Sequence, residues 1–271
     1  MVKDITIGQY FPGTSVIHKM DPRMKLILTL VFIVFIFVCK NFYSLLLMVA
    51  ALICIVFVSK ISMRTILKGI KPVLIIIVIT ALLNLFYIKE GTMLVDWHFI
   101  HITTKGVYTA IFMVVRIMCL IVSSSLLTYT TSPTLITDGI EQLLSPLKFM
   151  QGSIHTVAMM MTIALRFIPT LIDEFDKITS AQKARGADLE TGNLVERTKA
   201  LIPVFIPLFI TSFRRAYDLA FAMECRCYHG HKGRTRMKQM KYARRDYLSI
   251  AVMLVIIAGI ILLNHFFGKV I

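Results

Sequence analysis

Apolar residues in this chain are gathered into long unbroken runs separated by shorter polar, mostly cationic stretches. Five runs approach or reach the length of a membrane-crossing helix: Leu26 to Cys39, Phe42 to Ser59, Pro72 to Ile88, Val107 to Leu127 and Leu248 to Phe267. The pattern predicts an all-α, polytopic membrane protein with about five transmembrane helices, four to six being compatible with it. The first run reaches only about 21 Å at the helical rise. Lys25 and Lys40 flank it and are expected to snorkel to the two interfaces. It should form a tight hairpin with the second run.

Between Ser132 and Asp246 the periodicity changes. Leu171, Phe175, Ile178 and Ala181 share one helical stripe, with Asp173, Glu174, Asp176 and Lys177 elsewhere on the helix. A second stripe carries Phe209, Phe213, Ala216, Ala220 and Met223, opposite Arg214, Arg215 and Asp218. Such helices are expected to lie against the membrane face or against each other, and the segment is too apolar to be a disordered tail. Prolines partition it. Ser132-Pro133 suits the start of a helix over Thr134 to Leu144, Pro146 ends that helix, and Pro169 bends or starts the next. Pro203 and Pro207 are expected to break Leu201 to Phe213 into a stretch too short to span. The chain thus reads as transmembrane helices over 1–131, a helical module over 132–246 and a C-terminal transmembrane helix over 247–271.

Composition strengthens this picture: 57% of residues are hydrophobic, where globular domains run at about 45 to 50%. The formal charge of +15 would suit nucleic acid, but its distribution suits a membrane better. Cations cluster before the first run (Lys3, Lys19, Arg23, Lys25), between the second and third (Lys60, Arg64, Lys68, Lys71) and through 132–246. The connection between the third and fourth carries only Lys89 and Lys105, diluted by Glu90 and Asp96, with Trp97 as an interface anchor. By the positive-inside rule the N-terminus and 132–246 are cytoplasmic and the C-terminus is outside. No cleavable signal peptide is expected, because the first apolar run follows some twenty-five mostly polar residues. Cys39, Cys54, Cys119, Cys225 and Cys227 give no disulfide framework and read as reduced thiols.

Several side chains invite a chemical role. Cys225, Cys227, His229 and His231 alternate in a pattern that could hold zinc, although zinc sites usually leave two or more residues between cysteines; surface thiols and solvated histidines are the default. Arg116 interrupts the fourth run near its middle and needs a partner, a hydroxyl or a carbonyl, or a polar cavity. Asn84 is a candidate for interhelical bonding. Met159-Met160-Met161 could serve as an adaptable contact surface but suits core filling better. The basic run from Lys232 to Arg245 is read as a grip on anionic lipid rather than nucleic acid. No phosphate-binding loop, nucleophile elbow or zinc-protease helix motif occurs.

Two short signatures stand out, Ala184-Arg185-Gly186 and Cys225-Arg226-Cys227, each closing an amphipathic stretch. A guanidinium is permanently charged and its fork bonds two carboxylate oxygens at once, so an arginine on a rigid helix end suits docking into an acidic groove. Complementing the negative end of its own helix, worth about 0.3 to 1 kcal/mol, is the plainer alternative.

These strings recur with others in a characteristic order: Gly8-Gln9-Tyr10, Pro12-Gly13, Ser15 and His18-Lys19-Met20-Asp21-Pro22-Arg23-Met24-Lys25-Leu26 near the N-terminus; Leu126-Leu127-Thr128, Thr131-Ser132-Pro133, Leu135-Ile136-Thr137-Asp138-Gly139 and Leu144-Ser145-Pro146-Leu147 in the middle. Then come Ala164-Leu165-Arg166-Phe167-Ile168-Pro169, Ala181 through Ala187, Phe213-Arg214-Arg215-Ala216 and Ala222 through Tyr228. Over nearly its whole length the chain resembles the transmembrane T component of energy-coupling factor (ECF) transporters. The resemblance implies a scaffold in a bacterial cell membrane that links two ATP-binding cassette ATPases to a substrate-binding S subunit for vitamin or metal uptake. It implies that Ala184, Arg185, Gly186, Cys225, Arg226 and Cys227 dock the ATPases. ATP and magnesium would be bound by those partners, leaving no cofactor, no metal and no catalysis in this chain. The second signature departs from the family pattern, and loss of glycine at 227 tells against a positive-φ role there. The S subunit is expected along the apolar faces carrying Leu171, Phe175, Ile178, Phe209, Phe213, Ala216 and Ala220. A membrane-embedded enzyme acting on lipid head groups is the alternative, and would need a convergent acidic, metal-binding or nucleophilic cluster.

Overall fold

The computed structural model describes residues 10–88, 92–97, 100–146, 151–187, 193–230 and 239–266. Among them the chain forms two compact units, one of residues 10–136 and 239–266, the other of 137–230. His231, Lys89, Glu90 and the 232–238 part of the basic run lie outside the described residues, as do the side chain of Trp97 and the early motif Gly8-Gln9.

The first unit is built on α1 (Pro22–Val38), α2 (Phe42–Ser59), α3 (Met63–Ile70), a single 3-10 turn (Lys71–Val73), α4 (Leu74–Tyr87), α5 (Thr104–Thr130) and α9 (Arg244–Phe266). Its start is written in the sequence: Asp21 caps α1 by accepting from the Arg23 amide at 3.0 Å, and Pro22 occupies the first helical position, where no donor is needed. α1 and α2 are joined by the short turn at Cys39–Asn41 but do not form the expected tight hairpin: α1 packs chiefly on α5 and α9, and α2 on α9 and α5. The core is formed by Phe32, Ile36, Leu45, Met48, Phe112 and Ile260, with relatives from α1, α2, α3, α4, α5 and α9. The connection from α4 to α5 is a short antiparallel hairpin, β1 (Met93–Trp97) with β2 (Ile100–Thr103), which an all-helical reading did not anticipate. Thr103 ends it and is fully buried; its hydroxyl donates to the Ile88 carbonyl at 2.8 Å and accepts from the Gly106 amide at 3.2 Å, joining the end of α4 to the start of α5. A Cβ at Gly106 would lie 3.2 Å from the Leu85 carbonyl oxygen and 3.3 Å from that of Ile88, so glycine is what allows this close crossing.

Polar groups within this unit depart from expectation. Lys25 does not snorkel: it is buried, and its ammonium donates to the carbonyls of Thr130 at 3.0 Å and His18 at 3.3 Å and to the Thr131 hydroxyl at 3.2 Å. Thr130 ends α5, so its carbonyl lacks a helical partner and a cation satisfies it. Asp21 and Asp246, both buried, complete the knot. Asp246 accepts from the amides of Asp21 (3.1 Å) and Ala243 (2.8 Å), while Arg23 pairs with Asp21 at 2.9 Å and lies over the Tyr242 ring. Upstream, His18 Nε2 donates to the Phe11 carbonyl at 3.1 Å, leaving Nδ1 to accept the Ser15 hydroxyl at 2.6 Å. Partial burial holds this imidazole below its usual pKa.

Arg116 finds a carbonyl, but not on its own helix. Its guanidinium donates to the Cys39 carbonyl at 2.8 Å and stacks over Phe112, closing the α1–α2 turn. Because α1 is short, that turn meets α5 at mid-helix, and a residue central in its own span sits at the end of its neighbour. Asn84 bonds the Thr80 carbonyl of its own helix at 2.8 Å rather than bridging helices.

The second unit contains most of α6 (Pro133–Leu144), with α7 (Gln151–Ala184) and α8 (Leu194–Cys225). α6 begins at Ser132-Pro133 and ends before Pro146, as the sequence indicates. The other prolines do not partition anything: Pro169 lies inside α7, and Pro203 and Pro207 lie inside α8. Among the described residues six helical segments are long and apolar enough to cross a membrane, and α7 and α8 are two of them; α1 falls short of the others. Asn193 and Glu196 open α8 with a capping box, the Asn193 amide donating to Glu196 at 3.0 Å. Pro207 has no amide to give the Pro203 carbonyl four residues back. Gln182 of α7 donates to that carbonyl at 3.3 Å, so the neighbouring helix repairs the defect.

Two capped helix ends as the candidate functional site

α7 ends at Ala184 and α8 at Cys225, so Arg185 and Arg226 occupy the first position beyond each helix. The two ends have one geometry. Beyond α7, the Gly186 amide donates to the Lys183 carbonyl and the Ala187 amide to that of Gln182, both at 3.0 Å, with Gly186 at φ +89°. Beyond α8, the Cys227 amide donates to Glu224 at 2.9 Å and the Tyr228 amide to Met223 at 3.1 Å, with Cys227 at φ +54°. This paired closure with a left-handed residue is the Schellman cap, which consumes carbonyls that would otherwise be orphaned. The expectation for residue 227 is therefore corrected: the cysteine takes the positive φ that glycine takes at 186. Hydrogen bonding through the next amides fixes the turn, and the cysteine accepts a strain of about 1 to 2 kcal/mol.

The caps leave both guanidiniums outside. Arg185 and Arg226 are exposed, as are Ala184, Gly186, Cys225 and Cys227. Neither arginine has an ion-pair partner among the described residues. α7 and α8 run antiparallel: Gln182 meets Pro203, Phe175 meets Phe205 with ring centres 6.4 Å apart, Glu174 pairs with Arg215, and the Tyr228 hydroxyl donates to Met159 Sδ at 2.9 Å. The two signatures thus stand at opposite ends of one helix pair. From Met159 to Ala184, α7 advances about 38 Å at the helical rise.

The apolar stripes fare differently. Leu171, Phe175 and Ile178 are half-buried, and Phe175 packs on α8. Phe209, Phe213, Ala216 and Ala220 are exposed, joined by Ile202, Ile206, Tyr217 and Phe221. Met160 and Met161 are also exposed, whereas core filling was the expectation. Only 6% of the apolar window in α7 and in α8 is buried, against 33% in α2. All five cysteines are free thiols. Among the described residues no three His, Cys, Asp or Glu side chains converge as a metal site. Sequence reasoning gave no role to Gln182 or Tyr228. A signal existed for the first: two prolines one turn apart leave a carbonyl that demands a donor.

Six membrane-length helical segments among the described residues define a polytopic helical membrane protein, one of whose long helix pairs carries two exposed arginines behind matching caps. The cobalt transport protein family (CbiQ) matches residues 13–237. The chain is 51% identical over 267 residues to the energy-coupling factor transporter transmembrane protein EcfT of Ruminiclostridium cellulolyticum, covering 98% of this chain and all of that one. The proteins of the same name from Clostridium kluyveri and Bacillus subtilis are 50% and 40% identical, over 99% and 96% of this chain and 100% and 98% of theirs. The chain belongs to this family of ECF transporter transmembrane proteins. The lipid head-group enzyme has no support in these relationships.

Proposed function

We propose that this chain couples two ATP-binding cassette ATPases to an S subunit, with Arg185 and Arg226 each seated in the acidic groove of a different ATPase. The observation that carries the reading is the antiparallel pairing of two arginine-capped helices. Caps held about 38 Å apart by rigid helix suit two grooves on two subunits rather than one. The same spacing has a topological consequence. Were α7 and α8 to cross the bilayer, whose hydrocarbon core is about 30 Å thick, the arginines would emerge on opposite sides. Docking by both requires the pair to lie along the cytoplasmic face, and the mid-helix charges Asp173, Glu174, Asp176, Arg214, Arg215 and Asp218 favour that placement over a span. This reading keeps the N-terminus cytoplasmic. ATP and magnesium belong to the partners, and the chain acts without catalysis of its own. Movement of the two grooves swings the helix pair, and the exposed α8 stripe of Phe209, Phe213, Ala216 and Ala220 transmits it to the S subunit.

Arg185→Glu combined with Arg226→Glu tests this in the assembled transporter. The expected result is loss of ATPase copurification, or ATP hydrolysis that no longer drives uptake; unchanged assembly and uptake would remove both residues from the mechanism. Topology is checked by labelling Ala184→Cys and the native Cys225/Cys227 end with a membrane-impermeant maleimide. Both ends should react in inside-out vesicles stripped of the ATPases, and neither in intact cells.

A further inference from the structure

The first unit holds a cavity of about 380 Å³, within the range of ligand sites. It lies between α1, α2, α5 and α9, and most of its wall is apolar, including Leu28, Phe32, Ile55, Leu126, Val252 and Ile256. The uncharged Thr29, Cys54 and Ser123 also line the wall, while both charged lining residues, Lys25 and Arg245, lie at one end with Thr130 and Ser249. Three of those four are already occupied within the chain. Lys25 has its three acceptors, Thr130 bonds the Leu126 carbonyl at 2.8 Å and Ser249 the Asp246 carbonyl at 2.7 Å. Arg245 alone is exposed and has no ion-pair partner among the described residues, and the acidic group next to it, Asp246, is buried and bonded to two amides.

We propose that this groove binds one anionic glycerophospholipid, with its phosphate on Arg245 and an acyl chain along the wall of α1, α2, α5 and α9. Charge and length both select this occupant. A free guanidinium at the mouth favours an anionic head group, which it can bond through two oxygens. From Arg245 to Ile256, α9 advances about 16 Å, close to half of the roughly 30 Å hydrocarbon core, so the groove is as deep as one leaflet. A groove with a cation at the head-group level and a mainly apolar wall below, interrupted only by the uncharged Thr29, Cys54 and Ser123, matches the amphipathic layout of a lipid. The site is separate from the helix caps, and its occupancy does not depend on ATPase docking.

The test is native mass spectrometry of the whole transporter, released from nanodiscs of equal phosphatidylglycerol and phosphatidylcholine, together with the variants Arg245→Gln and Leu28→Trp. The wild type should retain one phosphatidylglycerol through delipidation, at least fivefold in preference to phosphatidylcholine. Arg245→Gln, at an exposed position, should abolish the preference, and Leu28→Trp should lower retention of either lipid by filling the groove. Inorganic phosphate at millimolar concentration should not displace the lipid, since it lacks the chain. Equal retention of the two lipids, or undiminished preference in Arg245→Gln, would overturn the proposal. So would a cross-link from Cys54, which lines the groove, to a neighbouring protein helix in a complex that retains no phospholipid.

Discussion

The two helix caps share a hydrogen-bond pattern but place different residues at the left-handed position, and this predicts opposite responses to reciprocal substitution. A Cβ built at Gly186 would meet nothing within 4 Å, so the cost of Gly186→Ala is backbone strain alone, about 1 to 2 kcal/mol. Loss of glycine's unfolded-state freedom returns about 0.4 to 1 kcal/mol. The net destabilisation is about 0.5 to 1 kcal/mol, which opens the cap roughly two- to fivefold more often. Cys227→Gly runs the same terms backwards and should tighten the α8 end by a similar factor. Hydrogen–deuterium exchange in nanodiscs reads this directly at the amides of 186 and 187 and of 227 and 228, after correction for intrinsic rates. If cap order holds the arginine ready for its partner, ATPase affinity should move by the same factors. Protection that falls in Cys227→Gly, or that is unchanged in Gly186→Ala, would refute the reasoning, because it would mean that the left-handed residue does not control closure of the cap.

The apolar stripes give a second contrast: Phe213→Ser, on an exposed surface, should lower S-subunit recovery in pull-downs without altering thermal stability, whereas Phe175→Ser, which loses its packing on Phe205, should destabilise the α7–α8 pair as well. Asp246→Asn keeps only one acceptor oxygen for the two amides now bonded, leaving a buried donor unpaired at about 1 to 3 kcal/mol; thermal unfolding in detergent should show the loss, and an unchanged Tm would mean the knot around Asp21 contributes nothing. Arg116→Ala removes the donor to the Cys39 carbonyl and the stacking on Phe112, and should cost about 2 to 3 kcal/mol, read as faster protease cleavage at the α1–α2 turn. Arg116→Lys should recover part of it.

Hydrophobic run length alone determined the membrane class and the positions of α2, α5 and α9, because crossing a bilayer requires each span to satisfy its own backbone and be apolar throughout, which is a local property of the sequence; which helices α1 and α2 pack on was not legible in it. The same logic located the two arginine signatures at helix ends, since the stripes stop there and Gly186 can adopt the left-handed turn. What the sequence could not decide depends on groups distant along the chain. Continuity of α8 through Pro203 and Pro207 rests in part on a donor from Gln182, twenty or so residues away. The positive φ of Cys227 is held by a cap whose bonds outweigh the residue's own preference. Lys25 turns inward because α5 ends beside it with an unpaired carbonyl, and Arg116 is satisfied by the turn of another helix. Most consequential is the antiparallel docking of α7 on α8, which carries two similar motifs to opposite ends of one rigid pair: spacing along a chain fixes neither direction nor distance until the helices pack.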